Sequence, residues 1–475
     1  MSRRLFKSTV VVGSMTLISR LLGFVRDMLI ARLFGVDLAT DAFFVAFKVP
    51  NFLRRLFAEG AFAHAFVPVL TTYKEQGSKA ALKLFIDKTA GTLAVCLLLI
   101  LLFISLTAFA GSILNAHSKF AIPALTPVFL NICMIGTAIW LAPLMTTPVV
   151  ALAWGVFIAG IVQMLFQIPA LYNLGLLPRP RIDFKDAGVK RVIGLMLPAM
   201  FSVSVTQINL LLDTLIASFL TVGSVSWLYY SDRLVEFPLG ILGLALGTVI
   251  LPSLANNYAA EDSVAFSHSL DWGLRLVLLV GMPATIGLFV LAEPMLSTLF
   301  QYNEFTVNDV HLAGQSLKAY AVGLLGYLLI KVLVPAFTAR QDVKTPVRYG
   351  IYAMIISLAL NVALVFPLAH AGLALATSLG AFFNAALLLK KLLKDKVYQP
   401  ATGWLLFFSR VLLASAAMTA ALYYWVDASW WAAWSSTERV IHLLKWIVIG
   451  MTIYIATLLL TGLKPRHLTV SNSKP

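Results

Sequence analysis

The chain is a succession of apolar stretches, each of the length a helix needs to cross a bilayer, about 20 residues. They run near 8–34, 41–70, 89–114, 121–143, 147–172, 191–219, 225–254, 271–291, 318–338, 347–367, 371–390, 401–425 and 439–462. An open sheet leaves backbone groups unpaired in lipid, so all thirteen read as helices. With 60% of 475 residues apolar and 12% charged, against about 25% charged in globular domains, a soluble enzyme is excluded. The expectation is an all-α polytopic membrane protein. Arg3, Arg4 and Lys7 precede the run Ser8 to Ser19 in the manner of a signal peptide. That run passes straight into Arg20, Arg26 and Asp27 without a small-residue cleavage site, so it reads as the first half of a retained helix.

Lysine and arginine in short loops favour the cytoplasm. By that rule the N-terminus, 71–88, 179–191, 340–348, 390–396 and the tail lie inside, and 144–147, 220–224 and 367–370, which have no Lys or Arg, lie outside. One conflict follows. Counting two crossings back from 179–191 puts 115–120 inside, yet 71–88 is inside too, and a single candidate separates them. The 26 residues of 89–114 are too few for two full crossings. This segment is re-entrant, or a short hairpin, or it spans and leaves the N-terminal part inverted.

A weak internal repeat bears on the same segment. DMLIA at 27–31 recurs as DTLIA at 213–217, an offset of 186, and Pro68 with Leu70 recurs as Pro252 with Leu254, an offset of 184. Ala116 with Pro123 then matches Ala339 with Pro346 at an offset of 223, so the first half is 223 − 184 = 39 residues shorter in this interval. Chance similarity between apolar helices competes with this reading. Taken as a repeat, it divides the chain into a bundle over 1–190, shortened near 89–114, a second over 191–397, and two accessory helices with a tail over 398–475. Two pseudo-repeated bundles around a central cavity point to a secondary transporter with its site between the halves; channels and scaffolds stay open.

Charges inside spanning helices are costly and usually face a polar cavity or one another. The first segment has Arg20, Arg26, Asp27 and Arg32, the second Asp41, Lys48, Arg54, Arg55, Glu59 and His64 around a Pro50-Asn51 break. Arg32 also suits an interface position with a snorkelling side chain, and Arg55 with Glu59 suits a structural i, i+4 pair. The seventh segment gives Asp232, Arg233 and Glu236 before Pro238, then Gly243 and Gly247 at the spacing of close helix packing. Lys331 lies deep in 318–338. Cations at Arg20, Arg26, Arg54, Arg233 and Lys331 outnumber buried acids, and the arginine fork fits phosphate oxygens, so an anionic, phosphate-bearing substrate is favoured over a cationic drug.

The sequence has no P-loop, no HExxH and no histidine pair at ligand spacing, so neither internal ATP-driven transport nor a metal site or other cofactor is expected. Cys96 and Cys133 lie in apolar runs and read as core. Trp430, Trp431 and Trp434 read as an interfacial anchor.

Four stretches carry a resemblance: SRLLGFVRD at 19–27, TDAFFVAFKVPNFLRRLFAEGAF at 40–62, SWLYYSDRLVEFP at 226–238 and RQDVKTP at 340–346. Over nearly its whole length the chain resembles the MurJ (MviN) lipid II flippases of the MOP exporter superfamily. The resemblance implies export of undecaprenyl-diphosphate-linked peptidoglycan precursor from the inner to the outer leaflet by alternating access, in the bacterial cytoplasmic membrane, with no covalent change. It places head-group binding on Arg20, Arg26, Arg54 and Arg233, with Lys331 as a cavity lysine. Asp41 and Asp232 resemble acidic positions near the cavity mouth, and Asp27, Glu59 and Glu236 are taken with them as charge-pairing or gating groups. The last two helices resemble the family's groove for the lipid tail. Lipid II and membrane lipids are the implied partners, cell-wall synthesis proteins are candidate ones, and nucleic acid is not. The departure from the family is helix number, fourteen there and thirteen here. A flippase for another polyprenyl-linked glycan and a transport-inactive scaffold remain as alternatives.

Overall fold

The computed structural model describes residues 3–54, 66, 68–72, 82–89, 99–178, 181, 183, 185–427 and 429–463. These are helical almost throughout, with no strand among them. Seven of the described helices are long and apolar enough to cross a membrane. The chain divides into two compact units, Met1–Ser218 and Phe219–Pro475.

In the first unit α1 (Arg3–Phe34) packs on α4 (Ala121–Gly136), and α4 on α5 (Val150–Leu174). Helix α4 ends in a π turn, Thr137–Leu141, and a 3-10 turn, Ala142–Leu144. Close approach of α4 and α5 depends on Gly155, where a Cβ would meet the Thr137 hydroxyl and stand 3.0 Å from the Met134 Cα. Helix α2 (Leu38–Arg54) packs on α3 (Leu99–Ala116), α5 and α6 (Ala187–Ser218). Helix α6 thus belongs to this unit, whereas the repeat alone places the boundary before it. A core of Phe66, Phe85, Phe109, Ile113, Leu171 and Val192 closes the unit. Of the ambiguous segment 89–114, the structure describes α3 and the turn of helix before residue 90; 90–98 lie outside the described residues.

The second unit is organised by α10 (Val307–Ala339), which packs on α7 (Ser224–Ala259), α8 (Ser263–Val290), α9 (Ala292–Phe300) and α11 (Lys344–Lys394). A Thr306–Asp309 capping box starts α10. The Asp309 side chain also accepts from Trp227 Nε1 at 2.9 Å, and Ser231 Oγ donates to the Ala313 carbonyl at 2.7 Å, so α7 is fixed to α10 along the 226–238 motif. Helix α11 is two arms meeting at Ala369 (φ 46°, ψ −129°), in agreement with the separate segments expected at 347–367 and 371–390. Asp342 accepts from the Thr345 amide at 3.0 Å at the turn into α11. Bonding to Thr345 holds that carboxyl below its usual range, although burial opposes it.

Helices α12 (Trp404–Trp425), α13 (Ser429–Ala433) and α14 (Ser436–Leu460) pack on α8 and α9 within the second unit. The Asp271 carboxylate of α8 accepts through Oδ1 from Tyr398 Oη at 2.7 Å, Trp404 Nε1 at 2.6 Å and the Ala401 amide at 3.1 Å, and through Oδ2 from Arg275 Nε at 2.7 Å. At the other end of the pair, Arg439 donates to the Gln301 and Ser297 carbonyls at 2.9 and 3.3 Å, closing the C-terminus of α9. The tryptophan cluster departs from the anchor reading. Trp431 is fully buried and donates to Thr298 Oγ1 at 3.0 Å, because the short α13 folds its apolar side onto α9; Trp430 is exposed.

Candidate functional site

Helix α1 carries two of the expected cations into different surroundings. Arg20 is exposed, whereas Arg26 and Asp27, two turns further on, are both buried. The Arg26 guanidinium folds back onto its sequence neighbour, donating to Asp27 Oδ1 from Nη2 at 2.7 Å and Nε at 2.9 Å, and donates from Nη1 to Asn131 Oδ1 on α4 at 3.0 Å. Asn131 Nδ2 in turn donates to the Ser19 carbonyl at 2.9 Å. The pair therefore stays ionic inside a helix interface, with each charge held by hydrogen bonds as burial requires. Asp41 is buried on the first turns of α2, whose start Asp37 caps by accepting from the Thr40 amide at 2.7 Å. Arg55, Glu59 and His64 lie outside the described residues, as does the Arg54 side chain.

In the second unit Arg233 Nη1 donates to Glu236 Oε2 at 2.6 Å, one turn on along α7, and its guanidinium lies 4.8 Å from the Tyr229 ring centroid. Asp232, Arg233 and Glu236 are all part-exposed. Lys331 of α10 is exposed, with its stem crossing α7 at Gly243, where a Cβ would stand 3.5 Å from Lys331 Cγ. Gly243 thus makes room for a cation rather than for a helix backbone. A Cβ at Gly247 would meet nothing within 4 Å, so the paired-glycine packing expected there is absent. Close packing occurs instead at Gly323, where a Cβ would stand 2.8 Å from the Ser378 Cα of α11.

One turn beyond Arg233, α7 changes character. Phe237, Pro238, Ile241 and Leu242 form one wall of an apolar groove of about 520 Å³, with α8 and α14 supplying the others and Leu463 one end. The groove juxtaposes a part-exposed cationic turn with a hydrocarbon-lined trough on one helix. Periodicity could not reveal it, because its walls come from helices more than 200 residues apart. Asn131 and the Asp271–Arg275 pair were also missed as organising groups; an i, i+4 acid and base within an apolar run was the available signal for the second.

The lipid II flippase MurJ family model matches residues 30–102 and 88–445. The chain is 45% identical to the probable lipid II flippase MurJ of Vibrio cholerae, with 98% of each chain covered. It is 45% identical to that of Haemophilus influenzae (96% of this chain, 100% of the relative) and 38% identical to the lipid II flippase MurJ of Burkholderia cenocepacia (97% and 98%). Among solved structures, a lipid II flippase MurJ in an inward closed conformation superposes with TM-score 0.76 at 25% identity, over 95% of this chain and 98% of that one. An inward-facing multidrug resistance MATE transporter of the MOP superfamily reaches 0.66 at 13% identity, over 82% and 98%, which is likeness of fold alone. Fold and relatives together define a multi-pass, all-helical membrane transporter. Within that class, the chain belongs to the lipid II flippase MurJ family.

The Vibrio alignment runs over 514 positions and this chain has 475 residues, so at least 514 − 475 = 39 of them are gaps in this chain. The two stretches matched by the family model overlap at 88–102.

Proposed function

We propose that this protein moves lipid II, the undecaprenyl-diphosphate-linked disaccharide-pentapeptide, from the inner to the outer leaflet of the cytoplasmic membrane by alternating access, for cell-wall synthesis. No bond of the cargo is made or broken. The observation that carries this reading is the adjacency on α7 of Arg233 and the apolar groove starting at Phe237. A cargo with a diphosphate head and a polyprenyl tail matches both, since a guanidinium fork suits phosphate oxygens and apolar area gains by covering a hydrocarbon chain. Arg20, Arg26, Arg54 and Lys331 are assigned to the head group with Arg233. Asp27, Asp41, Glu59, Asp232 and Glu236 are assigned to balancing those charges when the site is empty; the Arg233–Glu236 bond supports this for one pair.

We further propose that the first unit lacks about one helix near 89–114. The gapped alignment and the overlap at 88–102 support that reading. The N-terminus is assigned to the cytoplasm.

The deciding experiment measures outer-leaflet lipid II in cells depleted of their own flippase and expressing this chain, with Arg233→Ala alongside. Restoration by the wild type alone is expected. Absence of restoration, with protein present in the membrane, would mean another polyprenyl-linked cargo or a unit that has lost transport.

A further inference from the structure

In an α-helix each carbonyl accepts from the amide four residues on, and proline has no amide hydrogen to give. Pro283 stands inside α8, so the carbonyl of Leu279 loses its partner within the helix. That helix is one of those apolar enough to span a membrane, where no water is at hand to replace the missing donor. The replacement comes from α14: Tyr454 Oη donates to the Leu279 carbonyl at 2.8 Å, with the tyrosine buried. A phenol is well suited, combining a large apolar ring with a single donor at its tip. A parallel case in the first unit is local to one helix. Pro127 orphans the Pro123 carbonyl of α4, and Thr126 Oγ1 donates to it at 2.6 Å. In α8 the donor is instead borrowed from another helix, which ties the two together.

Leu279, Pro283 and Tyr454 all line the apolar groove. The orphaned carbonyl, the proline that orphans it and the phenol that satisfies it are therefore parts of the groove itself. We propose that Tyr454 is a positioning residue for the lipid tail: by bonding the Leu279 carbonyl it fixes α14 against α8 and so sets the shape of the trough. The proposal rests on reading that groove as the polyprenyl site. The bond acts only while Pro283 withholds the α8 amide. With alanine at 283, the helix can satisfy its own carbonyl and Tyr454 becomes dispensable as a donor.

This dependence gives a test that packing alone would not pass. Tyr454→Phe, Pro283→Ala and the double variant of the full chain, in lipid nanodiscs, are compared with wild type in two measurements. One is displacement of a fluorescent polyprenyl phosphate by undecaprenyl phosphate and by farnesyl phosphate; the other is thermal unfolding. Tyr454→Phe is expected to weaken undecaprenyl phosphate binding roughly three- to tenfold, the range a single hydrogen bond supplies. In the Pro283→Ala background the same substitution should cost almost nothing in either measurement, a coupling that a double-mutant cycle isolates. Equal, additive losses in both backgrounds, or wild-type binding by Tyr454→Phe, would overturn the positioning role. Coupling in thermal unfolding with wild-type protein indifferent to tail length would sink the groove reading and, with it, the role in tail binding.

Discussion

Arg26 of α1 reaches Asn131 of α4, 105 positions away, with a 3.0 Å hydrogen bond, and the same asparagine returns a bond to the carbonyl of Ser19. One side-chain amide therefore braces α1 at two points a little over two turns apart. Arg26→Ala leaves Asp27 buried without its guanidinium, and breaking a buried pair in this way costs about 3–5 kcal/mol. Asn131→Ala should cost less, about 1–3 kcal/mol. Thermal unfolding of the purified protein checks both; equal stability of Arg26→Ala and wild type would show that the pair is not structural.

Arg20 and Arg233 differ from Arg26 in being at least partly exposed. Arg20→Ala and Arg233→Ala should each keep near-wild-type unfolding temperatures while abolishing outer-leaflet delivery of lipid II. Growth of cells with either variant as sole copy reads this directly, and normal growth of both would remove the head-group assignment.

Asp271 concentrates four hydrogen bonds on one buried carboxylate. Asp271→Ala strands three side-chain donors and should destabilise the protein by about 3–5 kcal/mol. Asp271→Asn keeps the shape but offers an amide to a ring of donors, and should fall between. Unfolding curves in one detergent rank the three proteins.

Gly323 allows α10 to touch α11 at Ser378, whose hydroxyl donates to the Ala319 carbonyl at 2.8 Å. Gly323→Val must push the two helices apart, at about 1–3 kcal/mol for overpacking. A lowered unfolding temperature is expected, and Gly247→Val, which meets open space, serves as the comparison.

Lys88 bridges Asp183 at 2.8 Å and Asp186 at 3.0 Å, clasping the helical turns at 82–89 to the segment leading into α6. Bonding to Asp183 and Asp186 raises the lysine above its ordinary 10.5, and bonding to Lys88 lowers Asp183 below 3.8. Burial opposes ionisation of Asp186, yet bonds from Lys88 and the Val189 and Gly188 amides leave it lowered as well. The carboxylates contribute fully above their ordinary value and lose that contribution as pH falls through the depressed one. The lysine contributes fully below its ordinary value and loses it as pH rises through the raised one. Spin labels at Leu84 and Lys185 should report a constant separation between about pH 5 and 9, and a wider one below about pH 3. A separation that changes near neutrality would count against the clasp.

Much of this was legible in the chain. Length and hydropathy of the apolar runs located the helices, because lipid leaves the backbone few other choices, and α11 divides at Ala369 between the two segments expected. Charged positions were legible too, though not their partners: helical period puts Arg20 and Asp27 on one face, and only tertiary cover decides that one is exposed and the other buried. Gly243 and Gly247 show the same limit, since spacing cannot tell which neighbour fills the gap. Trp431 was misread because an aromatic cluster at an interface and one folded over a short helix have the same composition. The groove needed three distant helices at once, which no local pattern encodes.

The Asp271 cluster also bears on how the protein is made. Its partners Tyr398 and Trp404 follow it by 127 and 133 residues. During synthesis α8 must therefore enter the bilayer with a carboxylate whose main donors do not yet exist, held by Arg275 alone among its side-chain partners. At roughly 5–20 residues per second, that interval lasts many seconds. The second unit thus matures late, and a helix that looks settled by hydropathy is a provisional lodger until α12 arrives.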